Sequence, residues 1–317
     1  MRPISSILIL LFLGLLSSQC KAQETIYNSD QKPLYFLGSD QSDGGIKIFS
    51  DTVNALRELT NRSIWKFLLK DNQIPTDAKR VDKGEEISVI VAAHGSIYQV
   101  PMNYNDKYVY AKTYISCHSV EILPDGNMIS ANSNQDNDNT LTLHFNKKEE
   151  HDRYKFEDSF DVDFHDAHGV VYDKQRELIW ALGTEIGKFK YICCPNPKLV
   201  LLDSYPLPPS HTGGHDLFPD EHGNLLVTSQ QGVLRFEIDS SENLIFSELI
   251  YSSNGVKSVV SNIQNGDIYI TSPEDISGYK PWQTDKIINL NKSKNYVRPN
   301  ARFYKVRLWQ KNNFSYN

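Results

Sequence analysis

The chain has 317 residues, 39% of them hydrophobic and 11% aromatic, with 33 Lys and Arg against 39 Asp and Glu and a formal net charge of −6. That apolar fraction excludes a disordered polymer, and the acidic balance argues against general nucleic-acid binding, which depends on neutralising phosphates. The length exceeds an average domain, but radially repeated β folds of this size form single units, so one domain is expected over 23–317.

Residues 4–16, ISSILILLFLGLL, follow a short basic start and precede SSQCKAQ, the pattern of a secretory leader. A largely apolar stretch of thirteen residues is too short to span a bilayer comfortably. Cleavage after Ala22 would make residues 1–22 a signal peptide and leave 31 Lys and Arg against 39 acids, a net charge near −8. Cys20 also fits a bacterial lipid anchor, although Gln19 before it matches that signal poorly. A secreted or periplasmic protein is therefore expected, with no transmembrane segment. The remaining Cys117, Cys193 and Cys194 do not make a disulfide framework.

After the leader, PLYFLGSDQ, GGIKIFSD and SIWKFLL read as the second, third and fourth strands of a four-stranded unit without an obvious first strand. Its inner strand is expected from 24–28, unless the unit is incomplete, and 51–62 reads as one short inserted helix. From there a single pattern recurs. Lys79, His118, His168, His215 and Lys257 each open an apolar run, a polar turn and a second β-rich run, at spacings of 39, 50, 47 and 42 residues. Second strands follow at ISVIVAA, NMISANS, ELIWALG, NLLVTS and DIYITS, and outer strands at YVYAKTYI, YKFEDSF, LVLLDSYPL, IFSELIYS and RFYKVRLW. A strand-built period of this length marks a β-propeller, and the N-terminal unit makes it six-bladed. The fold class is all-β, with the first blade the one open to being incomplete.

Equivalent positions of successive blades form a ring about one axis. The five openings are thus expected to meet at the channel mouth, a basic spot in an acidic protein that would attract an anionic small molecule or an acidic glycan. Three imidazoles from neighbouring blades could instead hold a divalent metal ion, His118, His168 and His215 as ligands with His165, His211 or Asp166 completing the shell. Against both stands the plain alternative that polar residues at strand starts tie blades together. His94, His144, His151 and His222 lie at other phases or in turns and are read as outside the site.

Other candidates lie in loops. Asp40 and Gln41 end the first blade's strand, and Trp282 and Asp285 sit in a long loop of the last blade, where an exposed indole could stack on a sugar. Glu121 and Asp216 could orient imidazoles or cap turns. The Asp/Asn-rich stretch 132–139 could bind calcium, but it lacks EF-hand spacing and reads better as a solvated loop.

The segments CHSVEILPDGN, HGVVYD with WALGT, and GGHDLFP resemble a family of secreted bacterial six-bladed propellers of unassigned function, over nearly the whole mature chain. More distantly, the architecture is similar to propeller-fold polysaccharide lyases of the oligogalacturonate lyase type, in which channel histidines hold a metal or neutralise a uronate. The second blade departs from the pattern, opening with Lys79 in place of a His. The function expected is binding of, or action on, an acidic glycan. In a lyase, Lys79 and Lys257 would bind carboxylate, His168 would take a proton from carbon, and His118 or His215 would assist. No pair of mouth carboxylates suits hydrolysis. The alternative is a non-catalytic binding or scaffolding propeller. A monomer is expected.

Overall fold

The computed structural model describes residues 33–314 except 53, 55–57, 61, 104–107, 115, 134–138, 149–153 and 313. The leader, the segment 24–28, His151 and most of the loop 132–139 lie outside the described residues, and the helix expected over 51–62 falls partly there. Within that stretch, Glu58 makes a β-bridge to Val297 and Leu59 is buried. Among the described residues the helical content is one 3-10 turn, Lys70–Asn72.

The strands form six four-stranded antiparallel sheets. Blades 2 to 6 are each built from consecutive strands. Their inner strands are Pro75–Lys83, Cys117–Ile122, Gly169–Asp173, Asp216–Pro219 and Ser258–Ser261. Gly169–Asp173 and Ser258–Ser261 are rich in β-branched residues, whereas Pro75–Lys83 carries five charged residues; all three are buried on both faces nearly throughout, as strands between two packed sheets must be.

Blade 1 is complete, and its inner strand comes from the far end of the chain. Phe303–Leu308 pairs with Tyr35–Asp40, Phe36 opposite Leu308 and Asp40 opposite Phe303. This overturns two expectations, since RFYKVRLW is not the outer strand of the last blade and 24–28 is not needed to complete the first. The last blade ends instead with Lys294–Val297. The alternation of Lys305 and Arg307 with apolar residues imitates a half-exposed outer strand, yet every residue from Phe303 to Leu308 is buried. Genuine outer strands differ, as in Leu244–Ser252, where 245–249 are exposed.

The core lies between adjacent blades. Leu37, Ile46 and Ile48 of blade 1 pack on Val89, Val91 and Tyr98 of blade 2, and Leu141 and Leu143 of blade 3 pack on Val170 and Ile179 of blade 4. Phe49 stacks on Phe303 at 5.5 Å, joining the two ends of the chain within blade 1.

Antiparallel order gives the molecule two distinct faces. Turns between second and third strands, and the links from one blade to the next, lie on the mouth face. The other turns lie on the far face, together with the entry at Tyr35 and the exit at Trp309, whose N–H donates to the Tyr35 carbonyl at 2.8 Å. Beyond Trp309 the chain crosses that face. Gln310 donates to the Ser261 carbonyl, and Phe314, 2% exposed, joins the core under blades 4 and 5. Among the described residues no helix is long and apolar enough to cross a membrane.

Candidate ligand site at the propeller mouth

Four of the five expected residues meet. The His118 and His168 rings stack at 4.0 Å, His168 and His215 lie edge to face at 5.5 Å, and Lys257 Nζ is 2.7 Å from His215 Nε2. Their positions follow from strand register, because His168, His215 and Lys257 immediately precede an inner strand, with main-chain N–H groups that each donate to the neighbouring second strand, and His118 is the second residue of its strand. Gly214 permits the approach of blade 5 to blade 4. A Cβ there would lie 2.5 Å from Leu182 and 2.6 Å from the Gly183 carbonyl.

Lys79 is elsewhere. Its inner strand begins at Pro75, so Thr76, not Lys79, stands at the mouth, its hydroxyl donating to the Cys117 carbonyl. Lys79 lies deeper and is 1% exposed. Its Nζ donates to the carbonyls of Val120 and Val170 and lies 3.4 Å from Glu121. Two positions missed in the sequence complete the cluster. Tyr304, on the C-terminal strand, bonds His118 Nδ1 at 3.3 Å. His94, set aside as a turn residue, brings its ring to 6.4 Å from that of His118.

Below the imidazoles the axis is filled by charge. Arg307 bridges Asp216 of blade 5 and Asp77 of blade 2, while Lys305 sits 3.1 Å from Asp216 and donates to the His168 carbonyl. Each of these side chains is at most 2% exposed. Asp216 and Glu121 thus belong to this network and orient no imidazole directly. The network lies on the axis beneath the imidazoles, so the residues at the mouth rest on a layer of buried ion pairs.

Burial dominates the acid–base state of the mouth. Desolvation holds His215 down to about 3, helped by the charges of Lys257, His168 and Lys305. His118 is pushed well below the usual imidazole range by burial, then by His168 and Lys305. Lys257 is lowered to about 8 by burial and by Lys305. At neutral pH, His118 and His215 are therefore uncharged and Lys257 carries a proton. Burial tends to raise Asp166, but hydrogen bonds and charge from His168 outweigh it and keep the carboxylate ionised. His168 is oriented by its Nδ1, 2.8 Å from the Asp166 carbonyl and 3.3 Å from its carboxylate.

This donor set does not suit a divalent metal. His118 spends both nitrogens on Ser133 O and Tyr304, His215 Nε2 faces an ammonium, and Lys305 lies beneath. Among the described residues no group of three or more His, Cys, Asp or Glu is placed to hold an ion. His211 is engaged locally with Ser210, and His165 is exposed.

The loop candidates separate. Asp40 is buried, paired with Lys47 at 2.7 Å, and accepts from the N–H groups of Ser42 and Arg302, which makes it a turn support. Gln41 reaches across the mouth face, its side chain donating to the Pro75 carbonyl and accepting from Trp282 Nε1 at 3.2 Å. Trp282 is 40% exposed. Asp285 lies behind that loop, its backbone carbonyl accepting from Arg298, and burial raises its carboxyl. His144 is buried against Ser130, and His222 lies in a far-face turn.

The six four-stranded sheets, with an imidazole cluster at the mouth of their common axis, define a six-bladed β-propeller. The chain belongs to the family of unknown function DUF6528, which it matches over residues 70–317. No curated protein matches significantly. Solved structures share the fold at low identity. A protein of unknown function from Bacteroides caccae is 13% identical with a TM-score of 0.55, covering 88% of this chain and 100% of its own. The nidogen/laminin complex contains a chain 12% identical with a TM-score of 0.55, covering 87% of this chain and 98% of its own. A protein from Lactobacillus plantarum is 12% identical with a TM-score of 0.53, covering 88% and 99%.

Proposed function

We propose that the mouth binds the carboxylate of an acidic glycan or a comparable anion, with Lys257 as the receiving cation. One observation carries this reading. Lys257 is 9% exposed and makes no ion pair among the described residues; its Nζ faces an uncharged imidazole, and the Asp166 carboxylate acts on it only from beyond ion-pair distance. A buried ammonium without a directly paired counter-ion is costly, and an anion arriving from solvent would lower that cost. The other cations on the axis are already matched by Asp77, Asp216 and Glu121, which leaves Lys257 as the open one.

Titration calorimetry with uronate oligosaccharides tests the reading. Binding that Lys257→Met weakens by about tenfold or more supports it, since a hydrogen bond to a charged group contributes about 1.5–3 kcal/mol. Equal affinity of the variant, or no preference for acidic over neutral glycans, counts against it.

A second reading, catalysis, is favoured by the orientation of His168 through Asp166. With Lys257 neutralising a uronate carboxylate, His168 would take the C5 proton, the C4–O bond would break with its electron pair on oxygen, and a C4–C5 double bond would remain. Ultraviolet absorbance of the unsaturated product reports this step. A protein that binds uronates and yields no such product is the non-catalytic binder.

A further inference from the structure

We propose that the aromatic loop beside the mouth is a second subsite, which binds the next sugar of an acidic oligosaccharide through Trp282 and its carboxylate through Arg302. The inference rests on the anion-binding reading of Lys257 and extends it from a single group to a chain. Gln41 organises the subsite. Its side-chain oxygen accepts from Trp282 Nε1 at 3.2 Å and from Gln283 Nε2 at 2.8 Å, while its main-chain N–H donates to the Arg302 carbonyl at 2.9 Å. With its N–H bonded to Gln41 and the residue 40% exposed, the indole offers a ring surface of the kind on which the apolar face of a sugar packs.

Arg302 supplies the charge. It is exposed, its guanidinium lies 5.4 Å over the Tyr279 ring, and it makes no ion pair among the described residues. The cation–π contact holds the group on the mouth face without neutralising it. Arg302 also precedes Tyr304 by two residues of extended chain, about 7 Å, and Tyr304 touches His118. The second cation thus stands at the mouth end of the same strand that carries Tyr304 to the imidazole cluster. Two open cations with an exposed indole beside one of them fit a polymer of acidic sugars better than a lone small anion.

Calorimetry with D-galacturonate and its linear tetramer tests the subsite, with a neutral glucose tetramer as control. The acidic tetramer is expected to bind the wild type about tenfold more tightly than the monomer, the upper end of a ring-stacking contribution. Trp282→Ala and Arg302→Gln should each bring the ratio of the two Kd values toward one, and both side chains are exposed enough for the fold to persist, as thermal unfolding would verify. A ratio near one in the wild type, or a ratio unaltered in both variants, overturns the subsite while monomer binding leaves the mouth site standing. An equal gain with the neutral tetramer overturns the role of Arg302, and failure of the monomer to bind overturns the mouth site and the subsite together.

Discussion

Protonating His215 means placing a charge among Lys257, His168 and Lys305 in a buried site, and the hydrogen bond with Gln230 and the Asp166 carboxylate oppose that crowding without outweighing it. The unfolded chain therefore binds more protons than the folded one between about 6.5, the ordinary imidazole value, and about 3. The stabilisation due to neutral His215 is complete above 6.5 and is lost as pH falls through that window, at about 1.4 kcal/mol per unit. His118 acts with the same sign. Urea midpoints measured from pH 7 to pH 4 should fall steadily in the wild type and less steeply in His215→Asn. Identical slopes would mean that His215 is hydrated.

Lys257 gives the complementary signature in binding. Because its ammonium is lowered to about 8, anion affinity should hold below that value and decline by about tenfold per unit above it. The profile should be flat in Lys257→Met. A wild-type profile flat to pH 10 would place the anion elsewhere.

At the scale of the strand, Phe303–Leu308 joins the two ends of the chain and also brings charge to the axis. Arg307→Met would leave Asp77 and Asp216 partly unpaired in a dry interior, a loss of about 3–5 kcal/mol in the range found when one partner of a buried pair is removed. A chemical-denaturation curve measures this loss. Truncation after Asn300 should be more severe, since Tyr35–Asp40 would lose its inner partner and blades 6 and 1 would part. A soluble, cooperatively unfolding truncation product would show that closure is dispensable.

The same strand marks where the sequence ceased to be readable. Blades 3 to 6 could be recognised because His118, His168, His215 and Lys257 open hairpins of similar length with turn residues in phase. Closure could not be, because nothing local tells Lys305 and Arg307 facing an axis from Lys and Arg facing water. Lys79 misled for a related reason. Its run resembles the others, but the strand starts four residues earlier, and the shift moves its side chain from the mouth into the axial network. Tyr304, Arg302 and His94 gave no signal, since their places depend on pairings between distant segments.

For the whole molecule, closing the circle makes six similar sheets one unit, because each blade buries its apolar surface only against two neighbours. One cooperative unfolding transition is expected by calorimetry, and two separated transitions would contradict it. Tyr35 and Trp309 lie side by side on the face away from the mouth. Fastened through its leading residues to a bead, a lipid sheet or another domain, the protein would stand like a cup on its base, its opening turned toward whatever drifts past.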